Sequence, residues 1–183
     1  MQYDFVNAPD RTHTDSVKWD VKPGELPMWI ADMDFKTAPE ITAAMKEKIA
    51  LGAFGYEFPK DDYFDAVADW YETEHNHRPK NEWMIFTTGV VPAISSIVRR
   101  ISHIGDNVLV QEPVYNIFYN SVLNNHRVVK EVPLLLKDGN YSIDFPALED
   151  ALKEDKTTRR ILCNPANPVG RIWTKEELSE IGR

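Results

Sequence analysis

Residues 159–171 read RRILCNPANPVGR, a short apolar segment that runs directly into a turn rich in proline. Pro165 and Pro168 fix φ and lack the N–H group that a sheet ladder or a helix needs, so neither element can continue through them. Asn167 lies between the two prolines and is restricted to an extended or turn conformation by the proline that follows it. We therefore predict a buried strand that ends in a stiff turn, with Asn167 just beyond its carboxyl end.

Upstream of this stretch, short apolar segments alternate with segments of helical periodicity. The predicted strands are 83–87, 107–111, 128–135 and 159–163, and the helices between them are 92–102, 114–124 and 145–153. Two earlier helices are predicted, one from Pro39 towards Gly52 and one at 61–75, and the last helix opens with a capping box at Thr174. This alternation predicts an α/β fold with a mainly parallel sheet and helices on both faces.

Composition narrows the class of protein. The 183 residues carry a formal net charge of −8 without a basic stripe, which argues against nucleic acid or an anionic membrane surface as the main partner. The single cysteine, Cys163, excludes an internal disulfide framework and fits a reducing compartment. No signal peptide and no apolar stretch of roughly 20 residues is found, so we expect a soluble, cytoplasmic protein.

Candidate ligand contacts follow three of the predicted strands. The N–H groups of Gly89, Val90 and Val91 would be free at the positive end of a helix, which suits a phosphate, although a glycine at this junction also has a purely structural use. Tyr115 could stack on a planar heterocycle or pack under a loop. Asn167 could donate to a ligand or close an Asx-turn. Because the carboxyl ends of parallel strands meet at one edge, these residues predict a ligand site there without naming the ligand.

A rival hypothesis concerns Asp32 and Asp34, which follow an apolar run. Asp-x-Asp in this context resembles the nucleophile motif of haloacid-dehalogenase-type phosphatases, which use Mg²⁺. Against it, Thr37 lies one place later than that motif expects, and no glycine-rich turn follows the run. His75 and His77 are two residues apart and would face different directions on a helix, so they form a poor metal pair, and we predict no metal site.

Five motifs, in this order, resemble those of fold-type I pyridoxal-phosphate enzymes: LPMWIADMDF (26–35), FGYEFP (54–59), TTGVVPAIS (87–95), EPVYNIFYN (112–120) and NPANPVGRIWTKEEL (164–178). The chain resembles most the aminotransferase class I/II branch that contains the MalY/PatB-type cystathionine β-lyases (C–S lyases), over nearly its whole length. NPxNPxG is shared by many aminotransferases, whereas WIADMDF followed by GY is the more specific mark of the lyase branch.

The resemblance implies a PLP-dependent transferase-like fold. Residues 1–50 would form an N-terminal arm and the first helix, part of the small domain, and residues 51–183 would form the first half of the large PLP-binding domain. Family members are about twice as long as this chain, so the Schiff-base lysine is expected beyond residue 183. We therefore expect an incomplete large domain and no catalytic activity from these 183 residues alone.

The resemblance also implies an activity. The cofactor would be pyridoxal 5′-phosphate, and the reaction an α,β-elimination of a sulfur-containing amino acid that gives a thiol, pyruvate and ammonia. An aminotransferase of the same family is the alternative within amino-acid metabolism. A homodimer with shared active sites is implied. An alternative of another class is a truncated paralogue that acts as a non-catalytic binding partner, which an intact mass of 21.1 kDa for a soluble, folded species would favour.

Residue by residue, the resemblance implies two sets of contacts. The N–H groups of Gly89, Val90 and Val91 would bind the phosphate of the coenzyme, Tyr115 would stack on its pyridine ring, and Asn167 would form a hydrogen bond with its phenolic oxygen. Tyr56 would reach the coenzyme phosphate in the neighbouring subunit. The substrate pocket would be lined by Ile30, Ala31 and Asp32, with Tyr119 as a further candidate.

Overall fold

A computed structural model describes residues 3–183. In this part of the chain there are six α-helices and five β-strands, with a one-turn 3-10 helix at Asn81–Trp83. In chain order they are α1 (Pro39–Ala50), α2 (Asp61–His75), α3 (Val90–Ile101), β1 (Asn107–Glu112), α4 (Ile117–Leu123), β2 (Val128–Pro133), β3 (Leu135–Lys137), β4 (Asn140–Ser142), α5 (Phe145–Leu152), β5 (Thr157–Arg160) and α6 (Lys175–Ile181).

The chain divides into two compact units, Met1–Phe58 and Pro59–Arg183. The first unit contains α1 and otherwise consists of turns and irregular segments. The second unit contains the sheet and the five other helices. The domain boundary between residues 50 and 51 that the family resemblance implies stays a prediction.

Strand β1 is the centre of a three-stranded parallel sheet with the order β2-β1-β5. Asn107 pairs with Val128 of β2 and with Thr157 of β5, so the three strands begin at the same edge. Four consecutive residues of β1, Val108 to Gln111, are buried. A strand that is buried on both faces reads as a nearly continuous apolar run, which explains the sequence NVLVQE.

Helices cover both faces of this sheet. Successive residues of a strand point to opposite faces, and Val108 and Leu109 accordingly belong to two separate apolar clusters. Val108 packs with Val98 of α3 and Val122 of α4. Leu109 packs in the cluster that holds α5 residues and Trp173, with Leu178 and Ile181 of α6 against it. The predicted fold class is confirmed.

Some predicted elements differ from the structure. The predicted strand 83–87 does not form: Trp83 ends the 3-10 helix, residues 84–87 form no ladder with any described segment, and Ile85 is 91% exposed. An apolar run becomes a strand only where a neighbour accepts its hydrogen bonds, and here none does. The last predicted strand ends at Arg160 rather than 163.

A further difference is a hairpin that the prediction missed. The predicted strand 128–135 ends at Pro133, and Leu135 begins an antiparallel pair, β3 with β4. Asp138 and Gly139 join the two strands with positive φ at both positions. Such a two-residue loop matches the right-handed twist of a hairpin, and Asp-Gly is its usual sequence.

Most helices match their predictions closely, but α4 begins at Ile117 rather than at 114, so Tyr115 lies in the segment before the helix. α2 has the predicted bounds, and α6 begins with the predicted capping box, in which Thr174 accepts from the Glu177 N–H and Glu177 accepts from the Thr174 N–H. α1 forms as predicted, although its apolar side chains Ile41, Met45 and Ile49 are exposed.

Candidate functional site

The segments that follow β1 and β5 meet at the carboxyl edge of the sheet. Pro113 and Val114, just after β1, line the same small cavity as Cys163 and Ala166, which follow β5. Tyr115 is the next residue after the first pair, and Asn167 the next after the second. The structure therefore brings together the two segments that carry these predicted contacts.

The two asparagines of the NPANP turn have different roles. Asn164 Oδ1 accepts a hydrogen bond from the Trp173 N–H (3.2 Å), and the Trp173 indole Nε1 donates to the Cys163 carbonyl (3.0 Å), so this side of the turn is fixed. Asn167 donates its main-chain N–H to Cys163 Sγ (3.3 Å). Its side chain is exposed and makes no hydrogen bond within residues 3–183, so no Asx-turn forms and the amide is available to a ligand.

Tyr115 lies between β1 and α4 and is 43% exposed. Its ring meets Phe118 edge-on, with 6.0 Å between the ring centroids and 81° between the ring planes. An aromatic held in this way on one side can still present a face to a planar group. The alternative interpretation, a ring buried under a loop, does not fit this exposure.

The direction of α3 follows from Arg127, which directly precedes β2. Its guanidinium donates to the Arg99 carbonyl (Nη2, 3.1 Å) and to Ser102 Oγ (Nε, 2.9 Å), so the end of α3 lies at the amino edge of the sheet. A helix of 12 residues is about 18 Å long and a six-residue strand about 20 Å. The first turn of α3 therefore lies towards the carboxyl edge, where Ile94 packs in one cluster with Ile161.

The first turn of α3 is suited to an anion. Among the described residues, the N–H groups of Gly89, Val90 and Val91 have no acceptor, and no side chain caps the helix. The first turn of α1 contains the carboxylate of Glu40 and that of α2 contains Asp61, whereas the first turn of α3 contains no carboxylate. The positive end of the helix dipole is thus left without a countercharge.

Tyr119 makes a contact that the sequence did not reveal. Its hydroxyl donates to Glu112 Oε2 at 3.1 Å. Burial, and then the neighbouring Glu112 carboxylate, raise the pKa of Tyr119 above its ordinary value, so the hydroxyl stays protonated as a donor. A role for Tyr119 in the substrate pocket stays a prediction, and Glu112 is its structural partner.

The buried Gln111 and the half-buried Arg160, at the ends of β1 and β5, were also missed. Arg160 Nη2 donates to Gln111 Oε1, while Gln111 Nε2 and Arg160 Nε have no partner in the described part of the chain. Burial lowers the pKa of Arg160 from its ordinary value. The available signal was a polar residue at the end of the buried apolar run NVLVQ, where a purely structural strand would carry an apolar one.

Ile30, Ala31, Asp32 and Tyr56 belong to the first unit. Asp32 Oδ2 forms an ion pair with Arg11 Nη2 at 3.2 Å, Ile30 is half-buried, and Ala31 and Tyr56 are exposed.

The rival phosphatase hypothesis finds no support. Asp32 is paired with Arg11 and Asp34 with Lys18, whose Nζ lies 2.8 Å from Asp34 Oδ2. Over residues 3–183, no group of three or more His, Cys, Asp or Glu side chains is placed to hold a metal ion.

The same residues include no helix with the length and apolar character needed to cross a bilayer.

Comparisons with known proteins show which sequences and structures this chain resembles. The profile of the family "Aminotransferase class I and II" matches residues 29–183. The cystathionine β-lyase PatB of Bacillus subtilis (strain 168) is 45% identical and aligns with 97% of this chain and 48% of its own length. Protein MalY of Escherichia coli (strain K12) is 32% identical, over 96% of this chain and 47% of its own length.

Among solved structures, cystalysin from Treponema denticola, which contains a pyridoxal 5′-phosphate cofactor, superposes with a TM-score of 0.89 and 36% identity. The match covers 99% of this chain and 48% of cystalysin. The chain thus spans about half the length of the relatives that it matches.

Proposed function

We propose, from the premise that this chain belongs to the aminotransferase class I and II family, that the whole protein is a pyridoxal-phosphate-dependent C–S β-lyase. Its reaction would be the α,β-elimination of a sulfur-containing amino acid such as cystathionine, with a thiol, pyruvate and ammonia as products. The names of PatB and cystalysin support the activity and the coenzyme. The observation that carries the proposal is that free main-chain N–H groups, a partly exposed aromatic ring and an unpaired side-chain amide all lie towards the carboxyl edge of the sheet.

The residues at this edge fit the coenzyme. The free N–H groups of Gly89, Val90 and Val91 would hold its phosphate at the positive end of α3. The partly exposed ring of Tyr115 would stack on its pyridine ring, and the unpaired amide of Asn167 would donate to its phenolic oxygen. When bound, the coenzyme supplies an electron sink that stabilises negative charge at the substrate Cα.

The protein's own part in this chemistry is to orient the coenzyme. The stiff NPANP turn, tied to Trp173 through Asn164 and Cys163, would keep the Asn167 amide at one fixed position. A donor held in place before the ligand arrives loses little entropy on binding. Tyr115 would cover one face of the pyridine ring and leave the other to the substrate.

Further contacts are proposed from the first unit. Ile30, Ala31 and Asp32 would line the substrate pocket, and the exposed Tyr56 would reach the phosphate of a neighbouring subunit in a homodimer. From the second unit, Tyr119 would stand at the pocket with its hydroxyl directed to Glu112. We also propose that the protein acts in the cytoplasm.

Coenzyme uptake tests the proposal. The whole protein should show a visible absorbance band after incubation with pyridoxal phosphate, and borohydride should abolish that band. Asn167→Ala should weaken coenzyme binding, whereas Asn116→Ala, an exposed asparagine before α4, should leave it unchanged. A whole protein that takes up no coenzyme at saturation would overturn the proposal.

The family name keeps aminotransferase activity as the second candidate. Incubation of the whole protein with cystathionine separates the two. Release of thiol and pyruvate without any added keto acid indicates the lyase. If a keto-acid product forms only when an amino-group acceptor is added, the protein is an aminotransferase and the lyase proposal is wrong.

A further inference from the structure

The loop of residues 29–35, WIADMDF, carries the substrate-pocket candidates but has no regular secondary structure. Without a ladder or a helix, its conformation depends on hydrogen bonds from elsewhere in the first unit. We refer to it as the WIADMDF loop. The turn at residues 16–19, closed by the Trp19 N–H donating to the Ser16 carbonyl (3.2 Å), supplies three of those bonds, and the Arg11 side chain supplies another, to Asp32 Oδ2.

Lys18 makes the strongest of these contacts. Its Nζ donates to the Asp32 carbonyl at 2.7 Å and to Asp34 Oδ2 at 2.8 Å, and the residue is only 5% exposed. A buried ammonium is costly unless hydrogen bonds and a countercharge compensate it, and this one has both. Since one of the two acceptors is a main-chain carbonyl, the lysine fixes the backbone of the loop as well as a side chain.

Trp19 completes the arrangement. Its indole Nε1 donates to Asp34 Oδ1 at 3.0 Å, so each carboxylate oxygen of Asp34 has its own donor. The hydrogen bond from Lys18 holds the pKa of Asp34 below its ordinary value, as expected for a carboxylate bound in its charged form. The loop is therefore anchored at its centre, at Asp32, and near its end, at Asp34.

We propose that Lys18 and Trp19 are positioning residues that set the conformation of the WIADMDF loop and thereby the affinity for the amino-acid substrate. This inference rests on the proposed function, because it takes Ile30, Ala31 and Asp32 as pocket residues. Neither anchor needs to touch the substrate. Asp32 is bound directly through its carbonyl, and Ala31 and Ile30 precede it along the chain, so loss of the anchor shifts all three.

Kinetics of the whole protein test the inference. Lys18→Met keeps the aliphatic stem and removes the ammonium, and it should raise KM for cystathionine about tenfold with little change in kcat or in the coenzyme absorbance band. Trp19→Phe, a milder change, should raise KM by about threefold, since it removes one neutral donor. Lys22→Met is the matched control, because Lys22 is exposed and its hydrogen bonds to Glu25 use only its main-chain atoms.

Hydrogen exchange gives a readout that needs no activity. In Lys18→Met, the amides of residues 29–35 should exchange faster, while those of β1 should not change. Unchanged exchange in the loop overturns the inference, and so does faster exchange with an unchanged KM. If the wild-type protein cleaves no substrate, the proposed function fails, and the exchange result still decides whether Lys18 positions the loop.

Discussion

Each of the two units of the molecule is stabilised internally by a different kind of interaction. In the second unit, the central strand buries Val108, Leu109 and Val110 completely, between helices on both faces. In the described part of the first unit, the buried residues are Lys18 and Pro27. One unit has an apolar core, whereas the other is organised around a buried charge.

This difference separates stability from positioning. Apolar burial contributes roughly 25 cal/mol per Å², is non-directional, and sets how firmly a unit resists unfolding. Hydrogen bonds to a charged group contribute less to net stability, but they fix particular atoms at particular positions. We therefore expect core substitutions in the second unit to change the free energy of unfolding and substitutions around Lys18 to change the conformation of one loop.

The largest effect is expected for Leu109→Ala in β1. Leu109 is completely buried, and the cavity left by a buried leucine typically costs about 3 kcal/mol of unfolding free energy. Leu136→Ala is the matched control, because Leu136 on β3 is 60% exposed and should cost less than about 0.5 kcal/mol. Urea titration of both variants measures the difference. Equal losses would show that the sheet is not the core of the second unit.

Arg127→Met should have the next largest effect. It removes the donors that satisfy the Arg99 and Asn125 carbonyls and Ser102, all packed where α3 ends, and should cost about 2 kcal/mol. Arg100→Met changes an exposed neighbour on α3 and should be nearly neutral. A loss of this size in Arg127→Met would sharpen the comparison of the two units, because it would mean that a buried charge also stabilises the unit with the apolar core. A neutral Arg127→Met would contradict that role.

Much of the second unit could be predicted from sequence because its signals are local. The apolar run NVLVQE, the helical periodicity of α2 and the capping box at Thr174 each depend on residues close together in the chain. The hairpin at Asp138 and Gly139 has an equally local signal and could have been predicted from its Asp-Gly turn. The helices and the hairpin satisfy their backbone groups with residues near in sequence, whereas β1 was predictable from its continuous apolar run although its ladder partners are distant.

What could not be predicted depends on distant partners. Residues 84–87 have the composition of a strand but no ladder partner among the described residues. Lys18 and Asp34 are 16 positions apart, and nothing in the periodicity of the arm links them. At the candidate site, the position of Asn167 was predictable from its prolines, whereas the assignment of Asn164 to Trp173 required the fold.

A third, smaller pair of effects separates the two asparagines of the NPANP turn. Asn164→Ala should lower the unfolding free energy by about 1 kcal/mol, because the Trp173 N–H loses its acceptor. Asn167→Ala should leave stability nearly unchanged and weaken coenzyme binding, since its side chain has no partner in the described residues. Urea titration and coenzyme titration of both variants measure this. The reverse pattern would show that Asn167 is the structural residue.

The smallest effect is the response of the Lys18 anchor to acid. The pKa of Asp34 lies below its ordinary value of 3.8, first because of the hydrogen bond from Lys18. A carboxyl whose folded pKa is depressed contributes stability above its unfolded pKa and loses it as the pH falls through the folded pKa.

With 5-fluorotryptophan at the five tryptophans, the ¹⁹F signal of Trp19 should therefore titrate with a midpoint below 3.8. Trp173, whose indole donates to the main-chain carbonyl of Cys163, should not follow that midpoint. Asp34→Asn should abolish the titration of Trp19, because an amide gains no proton in this range. A midpoint at or above 3.8 would mean that Lys18 does not stabilise the Asp34 carboxylate, and the first unit would then lack the charged centre that distinguishes it from the second.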